Sequence, residues 1–127
     1  MIRKSGIYQT AAWGKTDQPD FLNQVIEVET NFSAQKTMDA ILDIESNMGR
    51  VRTEKNAPRV IDIDILFFNK ELHDEPGLTI PHPALAQRRF VLIPLNELAP
   101  DFLHPLFHKT IQQLLIECTD TLNVKKI

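Results

Sequence analysis

The sequence predicts an α+β domain in which helices pack on an antiparallel-rich sheet. Three observations predict it. Segments rich in β-branched residues and segments of helical period occur in mixed order, not as a strict strand–helix–strand repeat. The chain has 127 residues, the size of one domain spanning residues 1–127. Its composition, 43% hydrophobic and 24% charged, suits a globular protein and excludes a disordered tail, a collagen-like chain or a coiled coil.

Each element has its own signal. Residues 4–10 hold Ile7 and Tyr8 in a β-prone setting, as an edge strand or the tail of one. The Gly, Pro and Asp content of residues 11–20 reads as a loop. Residues 21–32 read as a strand from their Val and Ile content. Ser33 is an N-cap residue ahead of a helix carrying Met38, Ile41, Leu42 and Ile44, with Gly49 as its stop. Residues 51–59 are polar and basic and read as a mobile loop. Residues 60–68 are the strongest strand signal; Asn69-Lys70 is a turn, and residues 71–73 return as a hairpin. Leu78-Thr79-Ile80 is a short extended piece ending at Pro81. Residues 85–98 suggest a helix interrupted at Pro94, and residues 110–117 a terminal helix.

Several function classes are excluded early. No stretch approaches the roughly 18 apolar residues of a membrane span, and the first residues lack the apolar core of a signal peptide. A single cysteine, Cys118, cannot form an internal disulfide, so a cytoplasmic location is expected. The net charge of −3 gives no blanket attraction to nucleic acid or an anionic membrane. Any bound anion must be held by local placement of Arg and Lys.

Asp62-x-Asp64 is the chemical centre of the chain. In a strand these two side chains share a face, about 7 Å apart. Two carboxylates on one face repel unless a cation or hydrogen-bond donors compensate. Mg²⁺ bridged to phosphates would compensate; a solvated strand face is the alternative. Arg50, Arg52 and Arg59 lie just before the pair, and Arg88 and Arg89 follow. Arginine contacts phosphate oxygens bidentately, though for the arginines taken alone a solubilising loop is the better reading. Prolines flank His82 on both sides and restrict its backbone, so its imidazole could reach a phosphate or serve structure alone. Trp13, Phe21, Asn23 and Phe90 are ring and amide groups suited to a flat heterocycle, or to core packing. There is no zinc spacing, P-loop or protein-kinase signature.

Taken in order, the motifs are specific. They run Tyr8-x-Thr10-x-x-Trp13-Gly14, Asp17-Gln18-Pro19-Asp20-Phe21-Leu22-Asn23, Ile44-Glu45-x-x-x-Gly49-Arg50-x-Arg52, Pro58-Arg59-x-Ile61-Asp62-Ile63-Asp64, Ile80-Pro81-His82-Pro83 and Arg88-Arg89-Phe90-Val91-Leu92. From about residue 5 to residue 100 this set resembles the 6-hydroxymethyl-7,8-dihydropterin pyrophosphokinase family. The resemblance implies a ferredoxin-like α+β sandwich and transfer of pyrophosphate from ATP to the hydroxymethyl group of the pterin, with release of AMP, in folate biosynthesis. It implies two Mg²⁺ ions on Asp62 and Asp64, with ATP as co-substrate. Arg50 and Arg59 join the aspartates as catalytic positions. Glu45, Arg52, Ile65, Thr79, His82 and Arg88 fall on the nucleotide side. Thr10, Trp13, Phe21, Asn23 and Phe90 fall on the pterin side, with Phe21 and Phe90 flanking the ring and Asn23 reading its amide-like edge. The loop over residues 51–58 would close its arginines over ATP.

The sequence also departs from the family. Ala11 stands where many members have proline, Phe21 replaces the tyrosine of some members and keeps the ring, and the 51–58 loop is slightly short against some members. The usual first strand, Gly-Ser-Asn turn and first helix, roughly thirty residues by typical element lengths, precede nothing here. Their absence is expected to expose a sheet edge and apolar surface, and that edge could pair with a second chain where the family is monomeric. Two alternative readings follow: a truncated, binding-only or inactive member, and a ferredoxin-like interaction module that uses no metal.

Overall fold

In the computed structural model, which describes residues 1–10, 21–50 and 61–127, the chain divides into two units. One comprises Met1–Glu29 with Pro83–Ile127, the other Thr30–His82.

The first unit opens with four short strands: β1 (Arg3–Lys4), β2 (Tyr8–Thr10), β3 (Phe21–Asn23) and β4 (Ile26–Glu27). β1 pairs antiparallel with β4, and β2 with β3. Between the two ladders the register shifts by one, from Arg3 opposite Glu27 to Tyr8 opposite Asn23. That is a β-bulge, with the extra residue on the first chain. Ser5 lies just before it, in register with Val25, and is buried. Its N–H donates to the Val25 carbonyl at 2.8 Å, and its Oγ accepts the Val25 N–H at 3.0 Å. The expected strand over residues 21–32 is therefore broken at Gln24-Val25 and ends at Glu27, because the bulge consumes the ladder bonds at its middle.

The second unit begins with α1 (Ala34–Glu45). Ser33 caps it as expected, its Oγ accepting the Lys36 N–H at 3.1 Å. The helix does not stop at Gly49 but widens into a π-type turn, Ser46–Arg50. A hairpin follows later, β5 (His73–Glu75) with β6 (Leu78–Ile80). Ala34, Leu78 and Ile80 form a buried cluster, with Met38, Ile65 and Phe68 packed against it.

Two expectations in this unit need correction. Residues 61–67 are not assigned to a strand, although Ile61, Ile63 and Ile65 are half-buried while Asp62 and Asp64 are exposed. The backbone spends its bonds outside a ladder: the Ile63 N–H goes to the Glu45 carboxylate, and the Leu66 carbonyl takes the His82 N–H. The Asn69-Lys70 turn is real, with Asn69 at φ 53° and the Glu71 N–H donating to the Phe68 carbonyl at 3.0 Å. The hairpin nevertheless forms around Gly77, whose φ of 80° a side chain would strain.

The rest of the first unit is helical until its last strand. A single 3₁₀ turn, Leu85–Gln87, leads into α2 (Arg89–Leu98). The helix runs through Pro94, which is fully buried, so packing outweighs the missing N–H. α3 (Ile111–Glu117) packs on α2 and carries a reciprocal cap: Gln113 N–H to Thr110 Oγ1, and Thr110 N–H to Gln113 Oε1. Asp120 then accepts the Arg89 N–H at 2.9 Å and the Leu122 N–H at 3.0 Å. The Leu122 and Arg89 amides hold its carboxyl below the usual carboxylate range. This ties the chain to the start of α2 just before β7 (Val124–Lys126), an unexpected strand that pairs with the free side of β2. β2 is thus the middle strand of a three-stranded sheet, not an edge. Among the described residues, Tyr8, Leu85, Leu92, Pro94, Leu95, Ile111 and Leu114 supply buried apolar side chains to this unit. Among the described residues no helix is long and apolar enough to cross a membrane.

His104 is buried in the same unit. Its Nδ1 accepts the Leu106 N–H at 3.1 Å and the Phe107 N–H at 3.0 Å, and its ring stacks on Phe107. Burial, and then the charge of His108, hold the imidazole pKa below its ordinary value of 6.5. The stability from this neutral ring is full above that unfolded value and is lost as pH falls through the lower folded value. A melting series from about pH 7.5 to pH 5 should therefore show a falling transition, and His104→Asn, which keeps an acceptor but does not titrate, should flatten it. His73, held above its ordinary value by Glu71, acts with the opposite sign, so the difference between the two proteins isolates His104.

Candidate functional site

The second unit carries the acidic pair. Asp62 and Asp64 project to the exposed side of a segment whose isoleucines turn inward. Ile65 anchors that segment on the Ala34, Leu78 and Ile80 cluster. His82 follows the end of β6, and its backbone N–H is held by the Leu66 carbonyl at 3.0 Å. Its Nε2 lies 3.9 Å from Asp64 Oδ2, too long for a hydrogen bond but close enough for a charge contact when the ring is protonated. Thr79 is exposed on β6, between buried Leu78 and Ile80. Glu45 ends α1 at only 3% exposure. One of its oxygens accepts the Ile63 N–H at 2.7 Å. Arg50 ends the π-type turn. Arg52, Arg59 and the 51–58 loop lie outside the described residues, as does Trp13.

The first unit carries the ring and amide set. Thr10 stands directly opposite Phe21 in the β2–β3 ladder, and Tyr8 opposite Asn23. Opposed residues and residues two apart share a face, so Thr10, Phe21 and Asn23 fall on one face of the sheet. Phe21 is exposed and Asn23 half-buried. Thr10 is 2% exposed, and its Oγ1 has no hydrogen-bond partner among the described residues. A buried hydroxyl left without a partner costs about 1–3 kcal/mol, which a ligand polar atom would recover. Phe90 lies in the first turn of α2, the helix that packs on β2 and β3. The Arg88 guanidinium sits 5.7 Å from the Phe90 ring centroid, a cation–π distance.

One support for this face has no local sequence signal. The Tyr8 hydroxyl donates to Glu97 at 2.6 Å, and the same carboxylate accepts the Gly6 N–H. The Glu97 bond, ahead of burial, pushes the Tyr8 pKa up to about 12. β2 is thereby tied to the far end of α2 by residues 89 apart in sequence.

The acidic pair suits Mg²⁺. Oxygen donors are the right type, and Mg²⁺ takes one or two carboxylates with phosphates and water completing its shell. Among the described residues no three His, Cys, Asp or Glu side chains gather into a closed cage, which a structural zinc site would need.

Comparison with known proteins follows the same residues. A family model described as 7,8-dihydro-6-hydroxymethylpterin-pyrophosphokinase (HPPK) matches residues 1–100. A 2-amino-4-hydroxy-6-hydroxymethyldihydropteridine pyrophosphokinase from Synechocystis is 40% identical over 119 residues, covering 92% of this chain and 60% of the relative. One of the same name from Aquifex aeolicus is 36% identical over 115 residues, covering 91% of this chain and 72% of the relative. The folic acid synthesis protein FOL1 of Dictyostelium discoideum is 37% identical over 123 residues, but the match covers only 19% of that longer protein.

Proposed function

Because the chain belongs to the 7,8-dihydro-6-hydroxymethylpterin-pyrophosphokinase family, we propose that it transfers pyrophosphate from ATP to the hydroxymethyl oxygen of 6-hydroxymethyl-7,8-dihydropterin, releasing AMP. The observation that carries this reading is the acidic pair, exposed side by side inside the matched residues on a segment that otherwise turns inward. Asp62 and Asp64 would hold two Mg²⁺ ions, which when bound neutralise charge on the phosphate oxygens. Arg50, Arg52, Arg59 and Arg88 would hold the remaining phosphate charge, with His82, Thr79 and Ile65 on the nucleotide. Thr10 and Asn23 would hydrogen-bond the pterin edge while Trp13, Phe21 and Phe90 pack on its ring faces. In this reading the chain is one ferredoxin-like domain acting in the cytoplasm on small molecules alone.

The test is AMP release from ATP, Mg²⁺ and the pterin by folded protein. Turnover above background supports the proposal, and its absence rejects it. The chain spans 60% of the Synechocystis relative's length; a second reading is binding without turnover. Calorimetry would then register ATP or pterin binding with no AMP. Sedimentation tests the proposed pairing through exposed edge residues, for which Ile2, Ile26 and Val28 supply apolar surface; a strictly monomeric species would reject it.

Thr10→Val isolates the orphan hydroxyl. It should stabilise the free protein by about 1 kcal/mol and raise the pterin KM by about tenfold, since the removed group lacks a partner among the described residues and would serve the ligand. Denaturant unfolding and KM measurement read the two effects separately.

A further inference from the structure

We propose that Glu45 is a positioning residue that sets the geometry of Asp62 and Asp64 through the peptide between them. The inference rests on the reading of the two aspartates as Mg²⁺ ligands. Among the described residues, 61–67 belong to no strand. What does hold the segment near them is specific. The Glu45 carboxylate accepts the Ile63 N–H at 2.7 Å, within the range of short, charge-assisted bonds.

Ile63 is the residue between the aspartates. Turning its peptide would swing the two carboxylates off their common side. The bond gives a partner to an acidic side chain buried at the end of α1. At 3% exposure Glu45 is not a surface charge, and burying a carboxylate is costly unless it is hydrogen-bonded. The Ile65 side chain, packed against the Ala34 cluster, pins the same segment from its other side. Glu45 and Ile65 thus clamp the stretch that carries both aspartates. The sequence places Glu45 near the nucleotide by resemblance, but the geometry points to an effect exerted through Ile63. Loss of a residue that orients metal ligands typically weakens metal affinity by about 10–100-fold.

The test combines amide exchange with Mg²⁺ dependence in the full chain. Glu45→Ala should speed exchange of the Ile63 amide by about tenfold or more. It should raise the Mg²⁺ concentration for half-maximal AMP release by about 10–100-fold and leave the pterin KM unchanged. Glu45→Gln, whose amide oxygen can accept the same N–H, should restore most of both. Unchanged Ile63 exchange in Glu45→Ala overturns the proposal. So does a Glu45→Gln protein as impaired in Mg²⁺ dependence as Glu45→Ala, since the charge itself would then be needed. Should Glu45→Ala not fold, Glu45→Gln alone decides: near-native Mg²⁺ dependence supports the anchor, and a hundredfold rise overturns it. No AMP release by the unsubstituted chain would reject the pyrophosphokinase reading, whereas the exchange measurement reads the anchor with or without turnover.

Discussion

Replacing Asp62 by alanine is expected to reduce AMP release to background, a loss of at least about a thousandfold, while leaving the fold intact. The two halves of that expectation have separate causes. Asp62 is exposed, and its neighbour Asp64 carries a like charge on the same side. Removing one of two adjacent carboxylates relieves repulsion and uncovers no core, so the melting temperature should move by no more than about 2 °C. On the proposed reading, a ligand for Mg²⁺ and the charge compensation at the phosphates would be lost together with the carboxylate. Parallel measurement of AMP release and thermal unfolding checks both. A variant that melts far lower would make Asp62 a structural residue; one that retains turnover would remove it from the reaction.

The largest stability effect is expected at Leu92. Its side chain is fully buried on α2, the helix that packs on α3 and on β2, β3 and β7. Leu92→Ala removes three carbon atoms and leaves a cavity that neighbours on helix and sheet cannot both fill, costing about 3 kcal/mol. Against a usual total of about 5–15 kcal/mol this is a large share, equivalent to a fall of roughly 10 °C. Urea unfolding should show a lower midpoint at unchanged slope. Leu22→Ala is the control. Leu22 is 62% exposed on β3, so its loss should shift stability by no more than about 0.5 kcal/mol. Equal effects at the two leucines would contradict the placement of the core.

What was legible in the sequence follows the range of each signal. Ser33 announced its helix because a cap is a contact over three residues. The Asn69 turn was legible for the same reason. The alternation Ile61, Asp62, Ile63, Asp64, Ile65 correctly divided inward from outward residues. It could not say whether a neighbouring strand exists to make a ladder, so the expected strand over residues 60–68 was read from its faces and not from its bonds. The bulge after Ser5 has no comparable mark, since it depends on the register of residues about twenty positions away. The tie from Glu45 to Ile63 and that from Tyr8 to Glu97 join separate elements and leave no spacing to read. Of the candidate site, the acidic pair followed from charge and periodicity and Phe21 and Asn23 from their ring and amide chemistry, whereas Thr10 was available only by resemblance. The common face of Thr10, Phe21 and Asn23 depends on Thr10 pairing with Phe21, eleven positions along the chain.

β7 has a consequence for how this protein can change over generations. The strand lies beyond residue 100, where the family match ends, yet it pairs with β2 beside Thr10. Its ladder bonds, and that from the Ile127 N–H to the Ile7 carbonyl at 2.9 Å, use backbone groups that any residue except proline supplies in full. Lys126 adds a side-chain contact, its ammonium 3.3 Å from Glu97. Residues here can therefore drift while the extended shape persists. Two descendants could keep the same third strand with no recognisable likeness in its letters, so heredity at this border of the sheet is carried by conformation more than by residue identity.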